Sequence, residues 1–262
     1  MKNKNMISII TGGAGFLGKQ IFESLLELKH KKIIIIDNNK KSIESFKKVY
    51  KKFKNKFIIY EADICSERKI LEINSEIINK FKKIDILINN AAIDLKPQKK
   101  RKKKESFFDT PISSWNREVA VSLTGSLICS KIFCRSMSKN KFGIVLNISS
   151  DLSVIAPDQR LYEHLNIVKP ISYSVVKDGL LGFTKYLASH LANKNIRVNA
   201  LSPGGISNKQ DKFFVKKIKS LIPLKRMAKK NEYKEVIKFL CSERSSYMTG
   251  QNIIVDGGRS VI

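Results

Sequence analysis

The chain has 262 residues, 42% of them hydrophobic, and its formal net charge is +27 at pH 7. That length is sufficient for one large α/β domain with a substantial core, and no apolar run approaches the ~20 residues that a membrane helix needs. The first residues, MKNKNMISIITGG, lead from a short apolar stretch directly into glycines, which predicts a strand rather than a signal peptide. We therefore expect a cytoplasmic protein, with no membrane partner, that forms a single domain over residues 1–262.

The positive charge alone would suggest nucleic acid or an anionic membrane as a partner. However, the 50 basic residues comprise 41 Lys and only 9 Arg, scattered along the whole chain. Nucleic-acid-binding proteins favour arginine, interleaved aromatic residues and a compact basic patch. The one dense run, KPQKKRKKKE at residues 96–105, contains no aromatic residue and predicts a solvated loop. We expect no specific nucleic-acid partner.

The cysteines and histidines show no spacing typical of metal ligands, such as CxxC. Disulfides are rare in the cytoplasm, so we expect packed thiols, no disulfide and no metal site. Among the histidines, only His164 falls in a segment that we expect near a site. The residues concerned are Cys65, Cys129, Cys134, Cys241, His30, His164 and His190.

Short β-rich runs alternate with amphipathic helical stretches along the whole chain. Several runs are nearly all apolar, which is typical of parallel strands buried on both faces. This alternation predicts an α/β fold: a Rossmann-type, doubly wound parallel sheet of about seven strands, with helices on both faces and right-handed crossovers. The predicted strands are Ile7–Thr11, Lys32–Asp37, Lys56–Tyr60, Ile84–Asn89, Gly143–Ser149, Arg197–Ser202 and Asn252–Val255. The predicted helices include Gly15–Leu28, Ser66–Phe81, Ser113–Met137, Tyr173–Ala192 and Glu232–Cys241.

The first predicted strand is followed directly by TGGAGFLG at residues 11–18, in which Gly12, Gly15 and Gly18 are spaced three residues apart. Such glycines allow the backbone to approach a pyrophosphate, which the N-terminus of the next helix then binds. A glycine loop alone indicates little, but here a strand precedes it and a helix follows it. The segment therefore predicts a dinucleotide site.

The second predicted strand ends at Asp37. Its carboxylate would accept hydrogen bonds from the adenosine ribose and would repel a 2′-phosphate. We therefore expect a preference for NAD(H), with NADP(H) as the alternative because Lys40 and Lys41 follow. Asp37 as a simple helix cap is the other interpretation of this residue.

A tyrosine and a lysine, Tyr173 and Lys177, stand four residues apart near the start of the helix predicted in KPISYSVVKDGLLGFTKYLASHL. Residues with this spacing share one helix face. On its own the pair is more typical of an amphipathic helix than of catalysis. Its interpretation therefore depends on the motifs elsewhere in the chain.

Six motifs occur in a fixed order: TGGAGFLG, NNAA at 89–92, SS at 149–150, YSVVK at 173–177, SPGG at 202–205 and MTGQNIIVDGG at 248–258. In this order they resemble the short-chain dehydrogenase/reductase family over nearly the whole chain. Within that family, SSDLSVIAPDQRLYE, YSVVKDGLLGFTKYLA and VNALSPGGI are similar to the flagellin modification protein A group. That group is linked to the sugars placed on bacterial flagellin and on related surface glycans.

The resemblance implies a role for each matching residue. Tyr173 would be the catalytic acid/base, Lys177 its partner, and Ser150 the residue that holds the substrate oxygen. The implied chemistry is hydride transfer between the nicotinamide and a substrate carbon. The implied cofactor contacts are Gly12, Gly15, Phe16, Leu17, Gly18, Asp37, Asp63, Ile64, Asn89, Ala91, Tyr173, Lys177, Pro203, Gly204 and Ile206.

Three features depart from the usual short members of the family. Phe16 stands where their TGxxxGxG loop has its middle glycine, and Ser122 stands where they have an asparagine that helps to hold a water in the proton relay. In addition, 22 residues separate Ser150 from Tyr173, markedly more than usual. A longer loop beside a catalytic helix is often a binding loop, although surface packing or a subunit contact is the alternative. The candidate substrate contacts in it are Asp158, Gln159, Arg160 and His164.

Together these features favour an NAD(P)-dependent oxidoreductase acting on an alcohol or ketone of a sugar, sugar phosphate or nucleotide sugar, in surface-glycan or flagellin-glycan biosynthesis. A 3-oxoacyl-thioester reductase is the alternative, because it would share the fold and the triad. A catalytically silent nucleotide-binding scaffold protein is the alternative of another class. We also expect a homotetramer or a dimer, because the helices around Trp115–Met137 and after Tyr173 carry more apolar positions than one sheet face needs.

Overall fold

The computed structural model describes residues 5–93, 102 and 105–262. Seven strands form one parallel sheet, which confirms the predicted doubly wound fold. Apart from Lys102 and Glu105, the basic run at 96–105 lies outside the described residues. The strands are β1 (Ile7–Thr11), β2 (Lys32–Asp37), β3 (Phe57–Glu61), β4 (Ile86–Asn89), β5 (Gly143–Ile148), β6 (Ile196–Pro203) and β7 (Asn252–Val255).

The strand order is β3-β2-β1-β4-β5-β6-β7, and every neighbouring pair is parallel. The chain winds outward from β1 to β3, returns to pair β4 with β1, and then winds outward in the other direction. The point where the winding reverses lies between β1 and β4. Open α/β sheets bind ligands in the crevice at the carboxyl ends of the strands at such a point.

Eight helices are described, and they cover both faces of the sheet. One face packs against α3, α5 and α6, and the other packs against α1, α2 and α8. Both layers are rich in isoleucine, because strands buried on two faces favour apolar side chains at most positions. The helices are α1 (Phe16–Glu27), α2 (Lys40–Val49), α3 (Glu67–Phe81), α4 (Ile112–Val119), α5 (Gly125–Lys139), α6 (Ile171–Leu191), α7 (Lys212–Ser220) and α8 (Lys234–Leu240).

The long middle helix is continuous from Ile112 to Lys139, because a π-helical turn at Ala120–Thr124 joins α4 to α5. With 28 residues, this helix is long enough and apolar enough to cross a membrane by length and composition alone. However, 50% of its most apolar window is buried inside the protein, and Cys129, Phe133 and Met137 pack in the core beneath the sheet. These contacts are typical of a core helix in a globular domain.

An aromatic cluster lies in the opposite layer, between α1, α2 and β3. The rings of Phe22, Phe46, Tyr50 and Phe57 form five contacting pairs, with centroids 4.6 to 5.7 Å apart. The Tyr50 hydroxyl donates a 2.6 Å hydrogen bond to a carboxylate oxygen of Glu23 on α1. The cluster therefore fixes α2 against the sheet next to the end of β2.

A third, smaller apolar cluster covers the carboxyl edge of the sheet. Asp211 caps the N-terminus of the helix α7, and its carboxylate accepts hydrogen bonds from the backbone N–H groups of Phe213 and Phe214. Its buried side chains pack against the loop between β5 and α6. The cluster consists of Leu161, Tyr162, Phe214, Ile218, Ile222 and Met227.

Candidate active site

A cavity of about 760 Å³ opens at the carboxyl edge of the sheet. Its lining comes from the ends of β2, β5 and β6, from the segments that follow β1, β3 and β4, from the starts of α1 and α6, and from α7. All the residues predicted to contact the cofactor line this cavity except Asn89, and Ser150 lines it too. The structure therefore brings together residues that are as much as 194 positions apart in sequence, from Gly12 to Ile206.

The glycine loop forms one wall of the cavity, and two glycines in it are required by close packing. Gly12 has φ of +62°, and a Cβ atom there would lie 2.8 Å from the Cα of Ala91. A Cβ at Gly18 would overlap the carbonyl oxygen of Gly12. Side chains at these positions would fill the space where the loop meets the N-terminus of α1. The cradle that remains fits the pyrophosphate of a dinucleotide.

The NNAA segment after β4 ties this loop in place. The side-chain amide of Asn90 donates 3.0 Å hydrogen bonds to the carbonyl oxygens of Thr11 and Gly12. In return, the Thr11 hydroxyl accepts hydrogen bonds from the backbone N–H groups of Asn90 and Ala91. Asn89 instead lies behind the cavity wall, where its amide donates to Ser130 and Asn147. Its predicted contact with the cofactor stays a prediction.

Asp37, at the end of β2, is 8% exposed and lines the cavity. One carboxylate oxygen accepts a 3.0 Å hydrogen bond from the backbone N–H of Ala14 in the glycine loop, and the other accepts one from Asn39. Asn39, not Asp37, is the cap of α2, because its side chain accepts the N–H of Ser42. The carboxylate is thus held beside the loop, where it fits the hydroxyls of an adenosine ribose.

The segment after β3 supplies the next part of the wall. Asp63 and Ile64 line the cavity as predicted positions for the adenine, together with Cys65. Burial and the carboxylate of Asp63 raise the pKa of the Cys65 thiol to about 11. The thiol donates a 3.3 Å hydrogen bond to the carbonyl oxygen of Ala120. Cys65 is therefore a protonated, packed side chain at neutral pH.

The three residues predicted to be catalytic converge on the same cavity. Ser150 follows β5, and Tyr173 and Lys177 lie one turn apart at the start of α6. The Lys177 ammonium donates a 2.8 Å hydrogen bond to the carbonyl oxygen of Ile148, and its Nζ is 5.8 Å from the centroid of the Tyr173 ring. Lys177 is 4% exposed. Its charge therefore acts on the tyrosine with little screening by solvent.

A family model described as enoyl-(acyl carrier protein) reductase matches residues 17–260 of the chain. The chain belongs to the short-chain dehydrogenase/reductase family. The family binds nicotinamide cofactors, and its members are oxidoreductases that act on CH–OH or keto groups. Two curated relatives and one solved structure extend this finding over almost the entire chain.

The first relative is the 3-oxoacyl-(acyl-carrier-protein) reductase FabG of Aquifex aeolicus, which is 32% identical over 262 residues and covers 98% of both chains. The post-translational flagellin modification protein A of Campylobacter coli is 28% identical, covering 97% of this chain and 98% of its own. A short-chain dehydrogenase of Leptospira borgpetersenii, solved with bound NAD⁺, superposes with a TM-score of 0.86 at 34% identity. It covers 98% of this chain and 93% of that one.

In this short-chain dehydrogenase/reductase, an ion pair that the motifs did not predict lies beside Ser150. The Ser150 hydroxyl donates a 2.9 Å hydrogen bond to one carboxylate oxygen of Asp151, and Arg259 donates a 2.8 Å bond to the other. The Arg259 and Asp151 side chains are 8% and 5% exposed. Arg259 reaches the cavity because the Asp256 carboxylate accepts the N–H groups of Gly258 and Ser260, which curls the chain after β7. The DGG turn was the only sequence signal for it.

Ser122, which the sequence resemblance is expected to match to an asparagine of the family, lies within the π-helical turn at 120–124 and is 2% exposed. Its carbonyl oxygen accepts a 2.7 Å hydrogen bond from the hydroxyl of Ser126. Its neighbours Ala120 and Val121 line the cavity. π-Helical turns are frequent at functional sites. The effect of Ser122 on the proton relay stays a prediction.

The first four residues of the loop between β5 and α6, Ser149 to Leu152, line the cavity. Further along the loop Tyr162 and Lys169 also line it, and neither was among the predicted substrate contacts. The four predicted residues do not line the cavity. Arg160 forms an ion pair with Asp158, in which its guanidinium lowers the pKa of the Asp158 carboxyl, and the Arg160 side chain is 76% exposed. His164 lies 2.7 Å from Asp211. Gln159 bonds to the backbone of Lys169.

An apolar surface forms part of the wall of the same cavity. It belongs to the third apolar cluster, and the helix α7 supplies half of it. Because this surface is made of large side chains, it can pack against a nonpolar part of a ligand. The cluster members that line the cavity are Tyr162, Phe214, Ile218 and Met227.

Proposed function

We propose that this short-chain dehydrogenase/reductase uses NAD(H) to interconvert a hydroxyl and a keto group of a carbohydrate. The substrate class would be a sugar, sugar phosphate or nucleotide sugar used for bacterial surface or flagellin glycans. The observation that carries the chemistry is the convergence of Ser150, Tyr173 and Lys177 on the cavity that also contains the glycine loop and Asp37. Each of these groups has a role that follows from its position.

The nicotinamide, when bound, supplies or accepts the hydride. Tyr173 would pass a proton to or from the substrate oxygen, and Ser150 would donate a hydrogen bond to that oxygen. Free tyrosine has a pKa near 10, so work near pH 7 requires roughly 4 kcal/mol of preferential phenolate stabilisation. An ammonium about 5 Å away contributes roughly 3 kcal/mol at an effective dielectric of ~20. Lys177, anchored on the Ile148 carbonyl, supports this role.

The preference for NAD(H) is supported by the position of Asp37. A 2′-phosphate on the ribose would meet this buried carboxylate as a like charge. Lys40, which could offset that repulsion, lies 3.6 Å from Glu61 in an exposed ion pair. Asp37 lines the cavity, whereas Lys40 and Lys41 do not, which supports repulsion of a 2′-phosphate there.

Carbohydrate as the substrate class is supported by the similarity to the flagellin modification protein A of Campylobacter coli. Polar side chains of Lys169, Asn208 and Gln210 also line the cavity, and such groups suit a ligand with several hydroxyls. The residues predicted in the loop, among them Arg160, support this class less directly because they lie outside the cavity.

A 3-oxoacyl thioester is the second candidate substrate, and a specific observation favours it. The apolar wall from the loop and α7 would pack against an acyl chain, whereas a sugar has little nonpolar surface to bury there. The similarity to FabG of Aquifex aeolicus points the same way. The two candidates differ in substrate and share the roles of Ser150, Tyr173 and Lys177.

The deciding experiment measures turnover of the purified protein on a panel of keto sugars, nucleotide sugars and 3-oxoacyl thioesters, with NADH and NADPH side by side. We expect turnover of a nucleotide sugar or sugar phosphate with NADH, and loss of turnover but retained cofactor binding in Tyr173→Phe. Turnover of thioesters alone would reject the carbohydrate proposal. Cofactor binding without turnover on any member of the panel would favour a nucleotide-binding scaffold.

We further propose a cytoplasmic homotetramer, or at least a dimer. Large apolar side chains are exposed on the helices that the sequence singled out, and a subunit contact would bury them. Light scattering at micromolar concentration should give a multiple of the 29.8 kDa protomer mass, and a mass equal to it would reject the proposal. The side chains are Ile112, Leu127, Ile171, Val175 and Tyr186.

A further inference from the structure

Lys169 lies against the tyrosine proposed as the acid/base, although no motif singles it out. Its Nζ is 3.6 Å from the centroid of the Tyr173 ring, whereas the Nζ of Lys177 is 5.8 Å from the same centroid. Lys169 is 8% exposed and lines the cavity. An ammonium over a tyrosine ring attracts the π electrons, and it attracts the phenolate more strongly than the neutral phenol.

The backbone around Lys169 is held in place on both sides. The side-chain amide of Gln159 accepts the N–H of Lys169 at 2.9 Å and donates to its carbonyl oxygen at 3.2 Å. One residue earlier, the N–H of Val168 donates to the carboxylate of Glu105. One residue later, Pro170 begins the helix α6 with φ of −61°. The long loop therefore presents Lys169 at a fixed position rather than as a mobile surface chain.

Charged groups of both signs lie near this pair. Asp151, after β5, shares its carboxylate between Ser150 and Arg259. Lys177, on the same helix as Tyr173, carries a positive charge. Glu105, on the segment that packs against the loop, accepts the N–H of Val168. Two ammonium groups thus lie close to the Tyr173 ring, and Lys169 is the nearer one.

We propose that Lys169 is a second cationic partner of Tyr173, a positioning residue that stabilises the phenolate alongside Lys177. This inference rests on the proposed role of Tyr173 as the acid/base. The expected consequence has a definite sign. Removing the Lys169 charge should raise the pKa of Tyr173, by about one to two pKa units. Alcohol oxidation needs the phenolate, so its rate should begin to increase only at a higher pH than in the wild type. Ketone reduction needs the phenol, so its rate should begin to decrease only at a higher pH than in the wild type.

The test uses the full chain labelled with ¹³C at the ζ carbon of tyrosine, with and without NAD⁺, and follows the carbon shift of Tyr173 against pH. Tyr173→Phe identifies the signal by its loss. Lys169→Met and Lys169→Gln should each move the titration of Tyr173 to higher pH. Lys169→Arg keeps the positive charge, so its titration should stay close to that of the wild type. The matched control is Lys185→Met, at an exposed position of α6, which should change nothing.

An unchanged titration of Tyr173 in folded Lys169→Met and Lys169→Gln would overturn the proposal, because a purely structural lysine would not move this pKa. The readout needs no substrate, so it separates this proposal from the proposed function. If the titration moves but Tyr173→Phe retains turnover, then Lys169 is confirmed as the cationic partner and the acid/base role of Tyr173 fails instead.

Discussion

Replacing Arg259 by methionine should destabilise the folded chain strongly, although the change leaves the size of the side chain nearly the same. The Nη1 atom of Arg259 lies 2.8 Å from Oδ2 of Asp151, and the two side chains are 8% and 5% exposed, respectively. Without the guanidinium, the Asp151 carboxylate would remain buried with only the Ser150 hydroxyl and the Leu152 N–H as donors. Breaking a buried ion pair by removing one partner costs about 3–5 kcal/mol.

For a chain of this size, each kcal/mol lost from the free energy of unfolding lowers the melting temperature by roughly 2–4 °C. The expected decrease in melting temperature is therefore about 6–20 °C. The assay is thermal and urea unfolding at a fixed protomer concentration. Arg226→Met is the matched control, because Arg226 pairs with Glu232 at side-chain exposures of 44% and 33%, and exposed pairs contribute about 1 kcal/mol or less. The double variant Asp151→Asn, Arg259→Met should recover much of the loss. Equal destabilisation by Arg259→Met and Arg226→Met would refute this reasoning.

Three further predictions follow from single residues. In calorimetric titrations, Asp37→Asn should improve the affinity for NADP(H) relative to NAD(H) by at least about tenfold. An unchanged ratio of the two dissociation constants would show that residues other than Asp37 determine the cofactor preference. Arg160→Ala should leave both KM and NADH affinity unchanged, because Arg160 lies outside the cavity in an exposed pair with Asp158, whereas the ~10–150-fold rise in KM that a lost charge-assisted hydrogen bond produces would show that the loop binds the substrate. Burial lowers the pKa of His30 to about 4, so the unfolded chain binds a proton that the folded chain excludes. The contribution of His30 to the free energy of unfolding should be fully present above pH ~6.5 and should fall by about 3 kcal/mol as the pH approaches ~4. Urea unfolding over this pH range should show a smaller loss in His30→Phe.

The sheet was predictable because its strands are short apolar runs that alternate with amphipathic helical stretches. That alternation is typical of parallel strands buried between two layers of helices. The strands β1, β2 and β7 begin and end where the sequence predicts, and the other four differ by one or two residues at one or both ends. The glycine loop and the Tyr173–Lys177 pair could also be placed at one site, because the order of the six motifs along the chain supplied the context that neither spacing has alone, and both line the same cavity.

The remaining parts of the site depend on contacts that no local pattern encodes. Successive residues leaving a strand point to opposite faces, which explains why Asn90 holds the glycine loop while Asn89 is buried behind the cavity wall. Lys169 meets Tyr173 because of the path that Gln159 imposes on the loop. Arg259 reaches Asp151 across 108 positions of sequence, a distance at which charge pairing cannot be read from a single chain.

The distribution of aromatic residues makes the two sides of the sheet spectroscopically distinct. The single tryptophan, Trp115, lies on α4, in the long segment whose core residues pack on one face of the sheet. The clustered rings of Phe22, Phe46, Tyr50 and Phe57 lie on the other face. Tryptophan fluorescence therefore reports on α4 during unfolding, and the near-ultraviolet circular dichroism includes the contribution of the ring cluster on the other face. Coincidence of the two transitions would establish that both layers melt as one cooperative unit, and no label would be needed to test it.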